Sequence, residues 1–209
     1  MTRSVVKDKL RAEYFDLLPD MRSVTEELET RIRYAVLPHL VGRDKYELIN
    51  ITSRVKECES AIGSMERRQE GRYFDESLVD QYTLTSLKDL AGVRILVFPN
   101  SKLADLDEAL RQTFCEWTSD PIYHSDDSQQ LLAHKYYGRC ESSSRVMGEY
   151  QIVPMLIGLF WEVEHTAIYK PVPRLKGIAR SLEMQEKKDV VYGALKAFAE
   201  EFENLLGQE

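Results

Sequence analysis

No stretch of the 209-residue chain approaches the ~20 consecutive apolar residues that a membrane-spanning helix requires. The opening "MTRSVVKDKLRAEYF" carries charges throughout and has no apolar core of the kind a secretory leader needs. A membrane partner is therefore not expected. Cysteine is scarce: Cys58, Cys115 and Cys140 are odd in number and lack metal-ligand spacing, so reduced thiols and a cytoplasmic location are the expectation. Basic residues are outnumbered, 28 Lys and Arg against 35 Asp and Glu, and the net charge of −7 argues against a general nucleic-acid coat protein. Neither GxxxxGK[ST] nor GxGxxG occurs, so the usual glycine-rich phosphate cradles are missing. No internal repeat and no low-complexity tract is visible.

What remains is an ordinary globular composition, 43% hydrophobic and 30% charged, of a length that suits a single domain. Apolar spacing predicts a helix over 4–17, with Val5, Leu10, Phe15 and Leu17 on one face and Pro19 ending it. A second helix is expected over 20–37 through Met21, Val24, Leu28, Ile32 and Val36. Further helices are read at 57–69, at 102–115 (Leu103, Leu106, Leu110) and at 154–168, the last apolar nearly all round and so expected to be buried. A long amphipathic helix over 178–206 places Val191, Leu195, Phe198, Phe202 and Leu206 in register. Period-two alternation predicts a strand at 46–56, an almost unbroken apolar run predicts a strand buried on both faces at 91–98, and "YYGRC" and "GEYQIV" separated by "ESSSR" read as a hairpin. Residues 71–86 read as a loop with a short helix, and 118–135 as a polar loop with at most one short strand. "YKPVPRLKG" is a linker stiffened by two prolines. Strands mixed with helices and closing on a hairpin point to an α+β fold with a mixed sheet.

The charges on these strands raise the functional question. Alternate residues of a strand share a face, so Arg54 and Lys56 stand together, and so do Glu149 and Gln151. Asp89 precedes the most apolar strand and Arg94 lies on it. If these strands are neighbours, one face gathers two carboxylates and three cations, which is costly to bury without a ligand. A nucleoside triphosphate with magnesium uses both signs: carboxylates hold the hard cation, and Arg and Lys take the phosphates. A solvated face explains two charges at period two equally well, and Arg94 with Asp89 also describes a structural ion pair.

Four segments in order, "SRVKECESAIGSMERR", "LKDLAGVRI", "GEYQIV" and "FWEVEHTAIYKP", resemble the motifs of the RelA/SpoT-type synthetase domain in its small stand-alone form, the small alarmone synthetases. The resemblance covers roughly residues 45–172. It implies a nucleotidyltransferase-like synthetase core over 41–175, N-terminal helices over 1–40 packed on it, and a C-terminal amphipathic helix over 176–209. It implies a pyrophosphokinase that moves the β,γ-pyrophosphate of ATP onto the ribose 3′-hydroxyl of GDP or GTP with magnesium. By position, Asp89 would be the principal magnesium ligand, and Glu149 would bind magnesium or act as general base. Arg54, Lys56 and Arg94 would hold ATP, and Arg67 and Arg68 would flank its adenine or phosphates. Gln151 completes the E-x-Q pattern. His165 and Lys170 match an "EH…YK" segment, where contact with the substrate and a purely structural role are both open. The family's hydrolase domain is marked by a His-Asp pair; no His is followed by Asp in this sequence, so a synthetase without its own hydrolase is the expectation.

Two departures bear on the substrates. Ser64 stands where the family usually has a lysine, which leaves Arg67, Arg68 or Arg72 to substitute. The guanine-side motif, roughly Y-x-S-x-H, is replaced by "HKYYGRCESS", in which Tyr137 remains able to stack on a base while Arg139 and Glu141 occupy the Ser and His positions. Some small relatives are toxins with antitoxin partners that make adenosine alarmones or pyrophosphorylate the 3′ end of tRNA. Lys170, Arg174, Lys176 and Arg180 offer a basic patch for such an RNA, or simply a solvated linker. A non-catalytic nucleotide-binding module and a homo-oligomer built through the C-terminal helix complete the range of expectations.

Overall fold

The computed structural model describes residues 4–39, 44–123, 131–164 and 181–208. Among them the first element is a 27-residue helix, α1 (Val5–Arg31). Ser4 caps it by accepting from the Lys7 amide at 3.2 Å, and Glu76 takes the Val6 amide at 3.1 Å, so two orphan donors of the first turn are satisfied. Val6, Leu10, Tyr14, Leu17, Met21, Val24 and Leu28 recur every three or four positions, and all are buried. The stripe passes straight through Pro19, which the sequence places at a helix end. A proline inside a helix costs ~3 kcal/mol, whereas burying one large apolar side chain contributes ~1.5–3 kcal/mol. Leu17 and Met21, on either side of Pro19, are both buried, so packing outweighs the local penalty. The rotation that buries Val6 and Tyr14 leaves Val5 and Phe15 exposed, which corrects the face expected over 4–17. A π turn (Ile32–Val36) and a 3₁₀ turn (Leu37–His39) continue the helix and keep Ile32 and Val36 buried.

The strands are β1 (Leu48–Val55), β2 (Ala91–Phe98), β3 (Thr118–Ser119), β4 (Ile122–Tyr123), β5 (Leu131–Cys140) and β6 (Ser143–Pro154). Their spatial order is β1-β2-β6-β5-β3, with β4 on β5; β2 and β6 run parallel and the other pairs antiparallel, giving the mixed sheet expected. The hairpin strands are longer than the sequence suggested. Only Glu141 and Ser142 form the turn, and Glu27 of α1 accepts from both of their amides, at 3.2 and 2.8 Å. The segment after residue 117 holds two short strands rather than at most one, because Thr118 and Ser119 find partners in Tyr137 and Tyr136.

The remaining α-helices described are α2 (Cys58–Arg67), α3 (Leu103–Thr113), α4 (Met155–Glu164) and α5 (Leu182–Leu206), and short 3₁₀ turns stand at Glu70–Arg72, Glu76–Gln81, Leu84–Ser86 and Asn100–Lys102. The helix α1 lies across β1, β2 and β6 and buries Val93, Ile95, Val97, Tyr150 and Ile152 beneath it, with α3 alongside. On α4 only Ile157 and Gly158 are buried, while Leu159 and Val163 face out. The expected fully buried helix is thus one-sided. The α5 helix packs Phe202 on Phe98 and Tyr46, with ring centroids 4.9 and 5.8 Å apart, and Tyr192 on Phe160 at 5.2 Å. Leu195, Phe202 and Leu206 face the domain around Ala199, whereas Val191 and Phe198 turn outward. No described helix is long and apolar enough to cross a membrane.

Pro19→Ala restores a donor at a position whose neighbours already hold the helix. Chemical denaturation should show a gain of up to ~3 kcal/mol with an unchanged denaturant slope. A loss of stability would mean that Pro19 is needed where it stands.

Candidate functional site

Cross-strand register builds the site. Arg54 stands opposite Gly92 and Thr52 opposite Arg94 in β1–β2; Gly92 is beside Glu149 and Arg94 beside Gln151 in β2–β6; Tyr137 faces Glu149 and Lys135 faces Gln151 in β5–β6. With side chains alternating across the pleat, the sheet face turned away from α1 reads in rows. The first is Arg54, Gly92, Glu149, Tyr137. The second is Thr52, Arg94, Gln151, Lys135. The third is Asn50, Leu96, Val153, Ala133, and it is largely apolar. Leu96, Val153 and Ala133 form a small core with Met155 and Trp161 of α4. The two polar rows are the floor of the candidate site. Gly92 keeps that floor tight, since a Cβ there would stand 3.0 Å from the Glu149 carbonyl oxygen.

Lys56 leaves β1 where Asp89 enters β2. The Lys56 amide donates to the Leu90 carbonyl at 2.8 Å, and the ammonium forms a part-buried ion pair with Asp89 Oδ2. The other oxygen, Asp89 Oδ1, is buried with no hydrogen-bond partner. Such an atom costs ~1–3 kcal/mol or more when left unsatisfied, and a hard cation is a fitting partner for it. Glu149 is 5% exposed; burial pushes its carboxyl up from the ordinary range, Arg54 opposes this and Asp89 adds to it. Gln151 ties the rows together. Its Nε2 donates to Glu149 Oε1 at 2.6 Å, and its Oε1 accepts from Arg94 Nε at 3.3 Å. Arg94 Nη1 lies 3.9 Å from Glu162 of α4. Burial lowers the proton affinity of Arg94, the like charge of Arg54 lowers it further, and burial likewise lowers that of Lys56 against the pull of Asp89. A cleft of about 210 Å³ is lined by Thr52, Arg54, Arg94, Glu149, Gln151 and Glu162. Two like-charged guanidiniums at one cleft are an anion site, and the carboxylates beside them suit a divalent cation.

The remaining residues singled out from the sequence lie elsewhere or differently. Arg67 and Arg68 are exposed at the end of α2; Arg67 Nη2 donates to Ser64 Oγ at 3.0 Å, and no hydrogen bond or ion pair among the described residues joins either arginine to the floor. His165, Lys170, Arg174, Lys176 and Arg180 fall outside the described residues, as does the Arg72 side chain. Tyr137 is only 8% exposed. The ammoniums of Lys88 and Lys135 stand 5.5 and 5.1 Å from its ring centroid, and its hydroxyl donates to Asp120 at 3.1 Å. A base could reach this ring only by moving a lysine. Lys135 and Glu162 are site residues that the sequence reading missed. Period two would have found Lys135 had β5 been drawn back to residue 131. Nothing in the sequence signals Glu162, which depends on where α4 crosses the sheet.

No family model and no curated protein matches the sequence. Solved structures do match it. The small alarmone synthetase 1 of Bacillus subtilis superposes with a TM-score of 0.65 at 17% identity, over 94% of this chain and 97% of that one. The same enzyme bound to AMPCPP matches at 0.62 and 18% identity, over 94% and 97%. Bound to its product pppGpp it matches at 0.59 and 18%, over 92% and 95%. The chain therefore has the small alarmone synthetase fold that its motifs resemble.

Because the native Glu149 carboxyl holds its proton more tightly than an unfolded one, stability falls as pH rises from the ordinary carboxylate range through the raised value. In chelator at pH 8, Glu149→Gln should melt above the parent, by roughly 2–4 °C for each kcal/mol of strain relieved. The gap should close as pH is lowered toward 4.5, the carboxyl's ordinary value. Equal melting at every pH would contradict this burial penalty.

Proposed function

We propose that the chain is an ATP-dependent pyrophosphokinase of the small alarmone synthetase type, transferring the β,γ-pyrophosphate of ATP to the ribose 3′-hydroxyl of GDP or GTP. The observation that carries this reading is that Arg54, Arg94 and Glu149 line one cleft within that fold, with the Lys56–Asp89 pair close enough for both charges to act on Glu149.

In the transfer, the acceptor 3′-oxygen bonds to the β-phosphorus, the bond from that phosphorus to the α-phosphate oxygen breaks, and AMP leaves. Glu149 is the base that takes the 3′-hydroxyl proton; its burial raises its proton affinity in the direction a base working near neutrality needs. Gln151 fixes one Glu149 oxygen and orients Arg94 with the same amide. Arg54 and Arg94 take triphosphate charge across the cleft, and Lys56 neutralises Asp89 until substrate arrives. Asp89, with its unpartnered Oδ1, would hold magnesium, which when bound supplies positive charge to the phosphate oxygens. Lys135, whose proton affinity is lowered by burial but raised overall by Tyr137 and Asp120, keeps positive charge beside Glu149. That supports an anionic acceptor on this side.

Purified protein given γ-labelled ATP, magnesium and GDP, GTP, AMP or deacylated tRNA in turn should place label on GDP or GTP. Glu149→Gln should slow this by ~10²–10⁴-fold, and Asp89→Ala should abolish it. Label on AMP or tRNA alone would make the acceptor an adenosine nucleotide or the tRNA 3′ end. An Asp89→Ala protein with full activity would overturn the reading, as would transfer to no acceptor.

A further inference from the structure

Pyrophosphate transfer as derived above gives no part to Glu162. This residue comes from α4 rather than from the sheet, yet it lines the same cleft of about 210 Å³ as Arg54, Arg94, Glu149 and Gln151. Its carboxylate stands 3.9 Å from Arg94 Nη1, while Arg94 Nε donates to Gln151 Oε1 at 3.3 Å. The guanidinium proposed to take triphosphate charge therefore already faces an anion on its α4 side. The Glu162 side chain is half-exposed, so the pair adds little to stability. Its charge acts instead on whatever enters the cleft.

Arg54 and Arg94 bring two positive charges to the cleft. The Lys56–Asp89 pair cancels itself, and burial favours the neutral form of Glu149. Two guanidiniums attract any polyphosphate, with or without a metal ion. A metal-free polyphosphate would satisfy both of them and leave Asp89 Oδ1 without a cation, so it would fill the cleft unproductively. Glu162 opposes that occupant more strongly than the metal-loaded one. Repulsion from a fixed carboxylate scales with the charge of the ligand, and a divalent cation cancels about half of the roughly four negative charges on an ATP tail. The energy that Glu162 adds is then about twice as large for the metal-free form, and its effect on affinity about the square. Selection by repelling the wrong ligand needs no attractive contact with the right one. We propose that Glu162 is a specificity-determining residue, which selects the donor that carries its divalent cation and turns away the metal-free polyphosphate. The inference rests on the reading of this cleft as a metal–triphosphate site.

Equilibrium dialysis with labelled AMPCPP, with magnesium and in chelator, tests it without requiring an acceptor or turnover. Glu162→Gln keeps the size of a half-exposed helix side chain and removes only its charge. In chelator, Glu162→Gln should tighten the parent's weak binding by ~10-fold, equivalent to ~1.4 kcal/mol. With magnesium the gain should be about 3-fold, the square root of the first, so the preference for the metal-loaded analogue narrows. Glu162→Asp, which keeps the charge, should stay near the parent. Raising the salt concentration should shrink both gains. A parent that needs magnesium and a Glu162→Gln protein with the same magnesium preference would refute the filter and leave the metal–triphosphate site standing. Weaker binding of Glu162→Gln in both conditions would also refute it, since Glu162 would then be holding Arg94 in place. A parent that binds AMPCPP no better with magnesium than without would overturn both the site and the filter.

Discussion

The ion pair between Lys56 and Asp89 is the contact on which the rest of the site depends. It joins the end of β1 to the start of β2, beside the Lys56 amide bond to Leu90. That junction closes one end of the β1–β2 ladder, whose register together with that of β2–β6 places Arg54, Arg94, Glu149 and Gln151 on one face. A shift of β1 by one residue would turn Arg54 toward the apolar core under α1. The pair is partly buried, and charges taken from water are a poor source of stability on their own. Its value lies in fixing geometry, and one Asp89 oxygen stays unpaired as a consequence.

The scaffold keeps this face open by covering it unevenly. On one side α1 and α3 close the sheet over Val93, Ile95, Val97, Tyr150 and Ile152. On the other, α4 and its Trp161 close only the apolar row of Leu96, Val153 and Ala133. The polar rows remain as a cleft whose contents are in electrostatic tension: two guanidiniums near each other, and a carboxyl whose burial favours its neutral form. An anion with a divalent cation would relieve both strains at once, which is the physical link between the sheet's pattern and the proposed phosphoryl chemistry. The hairpin that carries Glu149 is in turn anchored to α1 by Glu27 at its turn and by Arg145, which pairs with Asp16 at 2.6 Å and with Asp20.

Much of this was legible in the sequence, for reasons that particular residues make plain. Period two on 46–56 and the continuous apolar run on 91–98 put Arg54 and Arg94 on strands because both patterns are local. The mixed sheet followed from strands mixed with helices and closing on a hairpin, and the gathering of charges on one face from their strand positions once those strands are neighbours. What the sequence hid was tertiary. Pro19 reads as a stop until Leu17 and Met21 are seen to be buried on either side of it. Val191 and Phe198 look like core until Phe202 docks on Phe98 and fixes the rotation of α5. Tyr137 reads as an open stacking platform until Lys88 and Lys135 are found over its ring. Glu162 reaches the cleft only because α4 crosses that row of the sheet.

Calorimetric titration with a non-hydrolysable ATP analogue tests the central claim, that Asp89 and its neighbours form a metal–nucleotide site, without requiring an acceptor. Binding that needs magnesium, is lost in chelator, and weakens ~10-fold or more in Asp89→Asn is the expected result. Binding of equal strength with and without magnesium, and in Asp89→Asn, would contradict it.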